Sequence, residues 1–350
     1  MFNLPRKKFK MKSTWQIFEE GKQTWDSFIE QNSSEFRQLY EWGEYKGKLG
    51  WDVLRLACIN ENNATENLVQ IFSKKILFIG SIYIPGDFCG KIENLNHDFI
   101  DFLKEYLEVS FLYIRLDSPK RENNKDVEHL QNFGFKRPSY KLNTLEYCEI
   151  DLRKSNELIL TEAKQKWRYH HKRSLDKGLK LEVETKAEHL IKINEELTKD
   201  WNIRNTFTKR EVIPLVDCMK NKLITCTAKN EDGDLVGIRV AVLSGKKAFH
   251  LYNAVSKKGR DLLPGYRLLI FMLDELRKHE IEYFNLGSTN KERFPGPYRF
   301  KYQLGYKNSL YSSIGEWNYT NSLVLEKFLN FLIKIYFNSS SLIRVIFKNF

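Results

Sequence analysis

The sequence predicts an α/β (α+β) protein of two tandem lobes, each a mixed sheet flanked by helices. The first observation is an internal repeat. A helical apolar pattern at 99–107 leads to a short apolar strand at 111–116, a turn at Asp117-Ser118-Pro119, a polar helix and Gly134-Phe135-Lys136. The same order returns as a helix at 268–276, a strand at 281–286, a turn at Gly287-Ser288-Thr289 and Leu304-Gly305-Tyr306-Lys307. Positions 117 and 287 lie 170 residues apart, and glycines 134 and 305 lie 171 apart, so two landmarks share nearly one offset. The second observation is that strands rich in β-branched and aromatic residues precede the helix in both copies, at 76–84 and at 223–243 and 248–255. The third is turn chemistry at 230–234 and 244–247, which folds the second set into hairpins.

Each element follows from its local pattern. Apolar residues at helical spacing give the two repeat helices, and short apolar runs ending in turn residues give buried strands. A helix joining two strands on one side of a sheet makes those strands parallel, whereas the hairpins before it are antiparallel. Antiparallel strands, a helix and then a parallel strand are similar to the acetyltransferase-like (GNAT) lobe. The expected division is 1–152 for the first lobe and 153–317 for the second, with 318–350 returning to the first.

Composition narrows the function classes. A 42% hydrophobic share with 14% aromatics supports two packed cores in 350 residues and excludes global disorder. The formal net charge of +12 attracts phosphates: nucleic acid, nucleotide-linked diphosphates or an anionic membrane. The five cysteines (Cys58, Cys89, Cys148, Cys218 and Cys226) are odd in number and lack a C-x-x-C pair. They fit neither a disulfide framework nor a zinc site, so a reduced, cytoplasmic setting is expected. The basic N-terminus continues into Ser13-Thr14-Trp15-Gln16 rather than an apolar run, which does not describe a secretory signal, and no stretch suits a membrane span.

Several segments then resemble one family in order. Gln38-Leu39-Tyr40-Glu41-Trp42-Gly43-Glu44-Tyr45-Lys46 resembles the Q-x-x-x-W-G-x-x-K opening of the Fem peptidyltransferases. Arg115-Leu116-Asp117-Ser118-Pro119 is similar to their R-x-D-P strand end with a serine inserted, and Gly134-Phe135-Lys136 with Asp151-Leu152 to their central junction. Trp167-Arg168-Tyr169-His170-His171-Lys172-Arg173, Arg204-Asn205-Thr206-Phe207 and Phe300-Lys301-Tyr302-Gln303-Leu304-Gly305-Tyr306 complete a set spread over about 270 residues. The family's glycine-proline element is reduced to Ile84-Pro85-Gly86-Asp87. The acceptor therefore stays open among a cell-wall precursor, a capsule sugar, a lipid and a peptide. The resemblance implies a tandem GNAT-type fold, an aminoacyl-tRNA donor, a peptidoglycan-precursor amine as first-choice acceptor and no cofactor.

Aminoacyl transfer to an amine requires alignment of two substrates, proton removal and stabilisation of a tetrahedral oxyanion. The resemblance makes Lys301 the cation that faces the reacting carbonyl; its plain alternative is a surface lysine. Asp117, at the carboxyl end of a predicted strand, is the candidate for holding or deprotonating the amine, or else a helix cap. The second copy has Asn285 and Gly287 in that region and has lost the acid. Lys46 and Arg204 resemble the family's two cations on the acceptor diphosphate, with Trp42, Arg115 and Tyr298 completing the expected substrate contacts. The expected helix over 164–180 carries seven Lys or Arg, among them Lys164, Lys166, Arg168, Lys172 and Arg173, against one acid, Asp176. Rings interleave with these cations, a mixture that suits RNA phosphates and unpaired bases as well as a solvated helix face. His170-His171 has no third ligand at metal spacing, so zinc is rejected.

Two other readings compete. An acetyl-CoA N-acyltransferase needs a glycine-rich loop opening a helix, and 257–265 has the charge without the glycine spacing. A non-enzymatic basic RNA- or membrane-binding scaffold leaves Lys46, Asp117 and Lys301 unexplained. The apolar segments at 323–337 and 342–348, interrupted by Lys327, Lys334, Arg344 and Lys348, read as an interfacial helix at the inner membrane surface or as packing against the first lobe.

Overall fold

A computed structural model describes residues 13–33, 35–139, 141, 143–201, 208–292, 294–305, 309–322 and 324–327. Arg204, the Tyr306 end of the last family-like segment and the tail beyond 327 lie outside the described residues, so those expectations have no structural account. The first half contains β1 (Ser13–Ile17), α1 (Lys22–Asn32), α2 (Tyr40–Lys48), β2 (Asp52–Asn60), β3 (Thr65–Ile76), β4 (Ile79–Pro85), α3 (His97–Leu107), β5 (Phe111–Arg121) and α4 (Asn124–Asn132). The second contains β6 (Glu146–Asp151), α5 (Asn156–Glu162), α6 (Gln165–Leu175), β7 (Lys180–Val183), α7 (Ala187–Trp201), α8 (Lys209–Met219), β8 (Leu223–Lys229), β9 (Leu235–Ser244) and β10 (Lys247–Val255). It ends with α9 (Pro264–Lys278), β11 (Tyr283–Ser288), α10 (Pro295–Gly305) and β12 (Leu310–Thr320).

The strands form one twelve-stranded mixed sheet in the order β1-β2-β3-β4-β5-β12-β6-β11-β10-β9-β8-β7. Among the described strands two neighbouring pairs are parallel, β4 with β5 and β10 with β11. Each is spanned by a helix crossover, α3 in one half and α9 in the other, as the repeat predicts. The helices earn their places by capping and by apolar stripes. Asn96 accepts a hydrogen bond from the Phe99 amide at 3.2 Å, and α3 then buries Phe99, Ile100 and Leu103. Helix α9 starts on Pro264, whose missing N–H costs nothing there, and buries Leu268, Leu269, Met272, Leu273 and Leu276.

Strand β12 stitches the halves together. It pairs with β5 from Gly315↔Ser118 to Thr320↔Tyr113 and with β6 from Leu310↔Cys148 to Ser312↔Glu146. This pairing also corrects the expected turn at Asp117-Ser118-Pro119, because β5 runs straight through it to Arg121. The arriving partner strand supplies the ladder, with Glu316 opposite Asp117. Pro119, which cannot donate, falls where the register slips between Ser313 and Gly315. Nor is Asp117 a helix cap: Asn123 caps α4, accepting from the Asp126 amide at 2.9 Å.

One hydrophobic core lies under each half, and another joins them. In the joining core Trp25, Phe36 and Trp42 pack with Val240, Phe249 and Tyr252. Cys58, Cys89, Cys148 and Cys226 are buried among apolar neighbours, while Cys218 is half-buried. No described helix is long and apolar enough to cross a membrane.

Candidate active site

The site begins with a failure of strand pairing. β10 and β11 are joined only at Lys247↔Tyr283, Ala248↔Phe284 and Phe249↔Asn285, and β10 bulges against β9 between His250 and Tyr252. From His250 onward the two parallel strands separate, and a cleft of about 420 Å³ opens. Arg37, Asn143, Tyr147, His250, Tyr298 and Lys301 line it, so both halves of the chain contribute. A second cavity of about 390 Å³ opens at the N-terminus of α9, lined by Arg239, Arg260, Tyr266 and Phe300. His250 and Lys301 line both spaces.

Lys301 projects from α10, and its Nζ donates to the Ser288 carbonyl at 2.8 Å. Gly287, at φ +80°, turns the end of β11 in the left-handed region, and a Cβ there would stand 3.7 Å from Nζ. Burial lowers the Lys301 pKa to about 8; the Cys148 thiol opposes this and Arg239 adds to it. Burial likewise lowers Arg239 to about 10. His250 is held well below the usual imidazole range by burial first, then by Arg239 and Lys301. Its Nδ1 has no hydrogen-bond partner.

Beside the cleft lies a buried ionic cluster. Arg37 donates from Nε to Glu35 and from Nη1 to Asp117, both at 2.7 Å. Asp117 Oδ2 also accepts from the Tyr83 hydroxyl and from Asn143 Nδ2, each at 3.2 Å, while its Oδ1 is unpaired. Burial raises Glu35, and Arg37 draws it partly back.

The structure brings Lys301 and Tyr298 of the sequence-predicted set into the cleft. Asp117 stands behind Arg37 and does not line it. Arg115 pairs with Glu316 on the neighbouring strand, and Trp42 packs against Phe36 and Tyr45 in the joining core. Lys46 Nζ sits 5.1 Å from the Trp42 ring centroid and 5.0 Å from that of Tyr45. Burial lowers its pKa to about 8, against the pull of Glu211. The expected helix over 164–180 is shorter, since α6 ends at Leu175 and Lys180 opens β7; on it Lys166, Arg168, Lys172 and Arg173 are exposed, and Lys164 before it reaches over the Tyr302 ring at 4.1 Å. Trp167 is fully buried against Tyr266 and Phe300, so that ring is a core residue and not a base-stacking platform.

Arg37, Arg239 and His250 were not anticipated. Arg239 has a legible signal, a lone charge inside the apolar run of β9. His250 is similarly a polar interruption of β10, whereas nothing local marks Arg37.

No family model matches the chain. A lipid II:glycine glycyltransferase of Staphylococcus aureus (strain MRSA252) is 21% identical over an alignment of 386 residues, covering 84% of this chain and 90% of that one. Among solved structures, FemX superposes with a TM-score of 0.77 at 17% identity, over 90% of this chain and 100% of the other. The chain has the fold of FemX. A tandem GNAT protein from the clavulanic acid biosynthesis pathway shares the FemX-like architecture more distantly, with a TM-score of 0.55, 10% identity and coverage of 89% and 99%. The sequence relative transfers a glycyl group, and the expected acyltransferase class stands with it.

Proposed function

We propose that this chain moves an amino acid from aminoacyl-tRNA to the amine of a phosphate-bearing peptidoglycan precursor. The observation that carries the reading is the meeting of two cavities at one desolvated lysine. A donor ester in the α9 cavity and an acceptor amine in the cleft would meet beside Lys301, whose ammonium suits the developing oxyanion. The donor side adjoins the basic helix α6, since Trp167 and His170 pack on Tyr266 of that cavity. The S. aureus relative, named for glycyl transfer to lipid II, supplies the acceptor class. Lys46 and Arg204 are the proposed acceptor phosphate ligands, and Arg37, positioned by Asp117, borders the acceptor cleft. Docking at the inner membrane surface would suit a lipid-linked acceptor.

The N-terminus of α9 favours a second donor as well. That helix end and Arg260 border the cavity, and a helix N-terminus also suits the pyrophosphate of coenzyme A. Each labelled aminoacyl-tRNA, and separately acetyl-CoA, is incubated with the chain and lipid- or nucleotide-linked muropeptide precursors. Product is expected from charged tRNA alone and is lost on ribonuclease pretreatment; product from acetyl-CoA alone overturns the reading. Reversing Lys166, Lys172 and Arg173 to Glu together is expected to raise the donor KM about tenfold or more, with the effect shrinking at high salt. An unchanged KM would make that face a solvated surface.

A further inference from the structure

We infer that His250 is the proton shuttle of the transfer: it accepts the proton of the attacking amine and returns it to the leaving ribose oxygen. This deepens the proposed function and rests on that reading. Among the described residues, His250 and Lys301 are the titratable side chains that line both the acceptor cleft and the α9 cavity; Glu35 and the arginines and tyrosines each line one space alone. His250 stands where β10 leaves β11, at the bulge that opens the site. Among the described residues its buried Nδ1 has no hydrogen-bond partner, so no bond at that nitrogen fixes the ring.

The surroundings keep the ring neutral before reaction and strengthen it during reaction. Burial does most of this, Arg239 from β9 and Lys301 from α10 add positive charge to it, and the Asn253 side chain on β10 pulls the other way. A neutral imidazole is able to accept a proton at once. As the amine nitrogen bonds to the ester carbon, the carbonyl oxygen becomes an oxyanion beside Lys301. That negative charge cancels much of the repulsion felt by His250, so its basicity rises as the intermediate forms. The nitrogen's proton passes to the imidazole, the carbon–oxygen bond to the ribose breaks, and the imidazolium protonates the departing oxygen. An amide and an uncharged tRNA hydroxyl remain, and the ring is neutral again. No co-reactant is needed.

The test uses the full chain with aminoacyl-tRNA and a muropeptide acceptor. His250→Ala is expected to lower kcat about 100-fold or more, with both KM values within twofold, a size usual for loss of a general base. Imidazole added to that variant should restore turnover, filling the space that the side chain leaves. A folded variant that keeps more than a tenth of wild-type turnover overturns the proposal, as does a loss that imidazole fails to restore. Should His250→Ala melt early, His250→Asn is read in the same assay for the kcat loss at unchanged KM. Failure of the unsubstituted chain to use any aminoacyl-tRNA would sink the parent reading and this one with it. Transfer by the unsubstituted chain together with an unaffected variant would sink His250 alone.

Discussion

Lys301→Met is expected to lower kcat by roughly 100- to 1,000-fold while leaving the acceptor KM within a few-fold. The substitution keeps most of the stem's volume and removes the charge. In the ground state the ammonium donates to the Ser288 carbonyl, its one hydrogen bond among the described residues. That contact says little about substrate affinity. In the transition state it would meet a full negative charge in a site shielded from water, so the loss falls on turnover. A raised KM with unchanged kcat would make Lys301 a binding residue instead.

The same lysine predicts two pH effects. Its pKa of about 8 lies below the ordinary 10.5, so the ammonium is lost as pH rises through about 8. Wild-type turnover is expected to fall across that range, and Lys301→Arg should keep its residual activity to higher pH. The stability effect has the opposite sense. Between about 8 and 10.5 the unfolded chain holds the proton more tightly than the folded one, so this group's contribution to stability rises with pH there. Below about 8 the cost of burying the charge is fully present. Lys301→Met should therefore be at least as stable as wild type near pH 7, which separates lost chemistry from lost folding in a thermal melt.

How much of this was legible in the sequence differs by level. The repeat was legible because periodicity and turn chemistry are local: 99–107 and 268–276 announce helices, and one offset relates them. The path of β5 was not, because the strand continues only where β12, arriving from nearly 200 residues away, provides its ladder. Lys301 was found through wording shared with a family, but its depressed pKa depends on how α10 closes over β11. Trp167 shows the reverse error. Its setting among cations suggested RNA stacking, yet the residue at the centre of an amphipathic helix face is the one that the core claims. Arg37 was invisible for a simpler reason. Its importance lies in Glu35 beside it and Asp117 eighty residues on, and only the fold brings the second within reach.

Arg37→Met is accordingly expected to destabilise the chain by about 3–5 kcal/mol near neutral pH, because it leaves two buried carboxylates facing each other without a counter-charge. The Arg37 side chain is 17% exposed, and those of Glu35 and Asp117 are 3% exposed. Solvent therefore screens the cluster little. The pH dependence identifies the cause. Burial already raises Glu35 above its ordinary value with Arg37 present, so removing the cation pushes it higher. A carboxyl whose folded pKa lies above its unfolded one makes stability fall as pH rises through that interval. The variant's deficit should consequently be largest at pH 7 and shrink toward pH 5 as the pair takes up a proton. Glu35→Gln added to Arg37→Met should recover part of the loss at pH 7 and little at pH 5. Chemical denaturation of the four chains (wild type, both single variants and the double) at both pH values gives the coupling directly. A deficit equal at the two pH values would mean that Arg37 acts through packing alone and that the cluster does not set the charge beside the cleft.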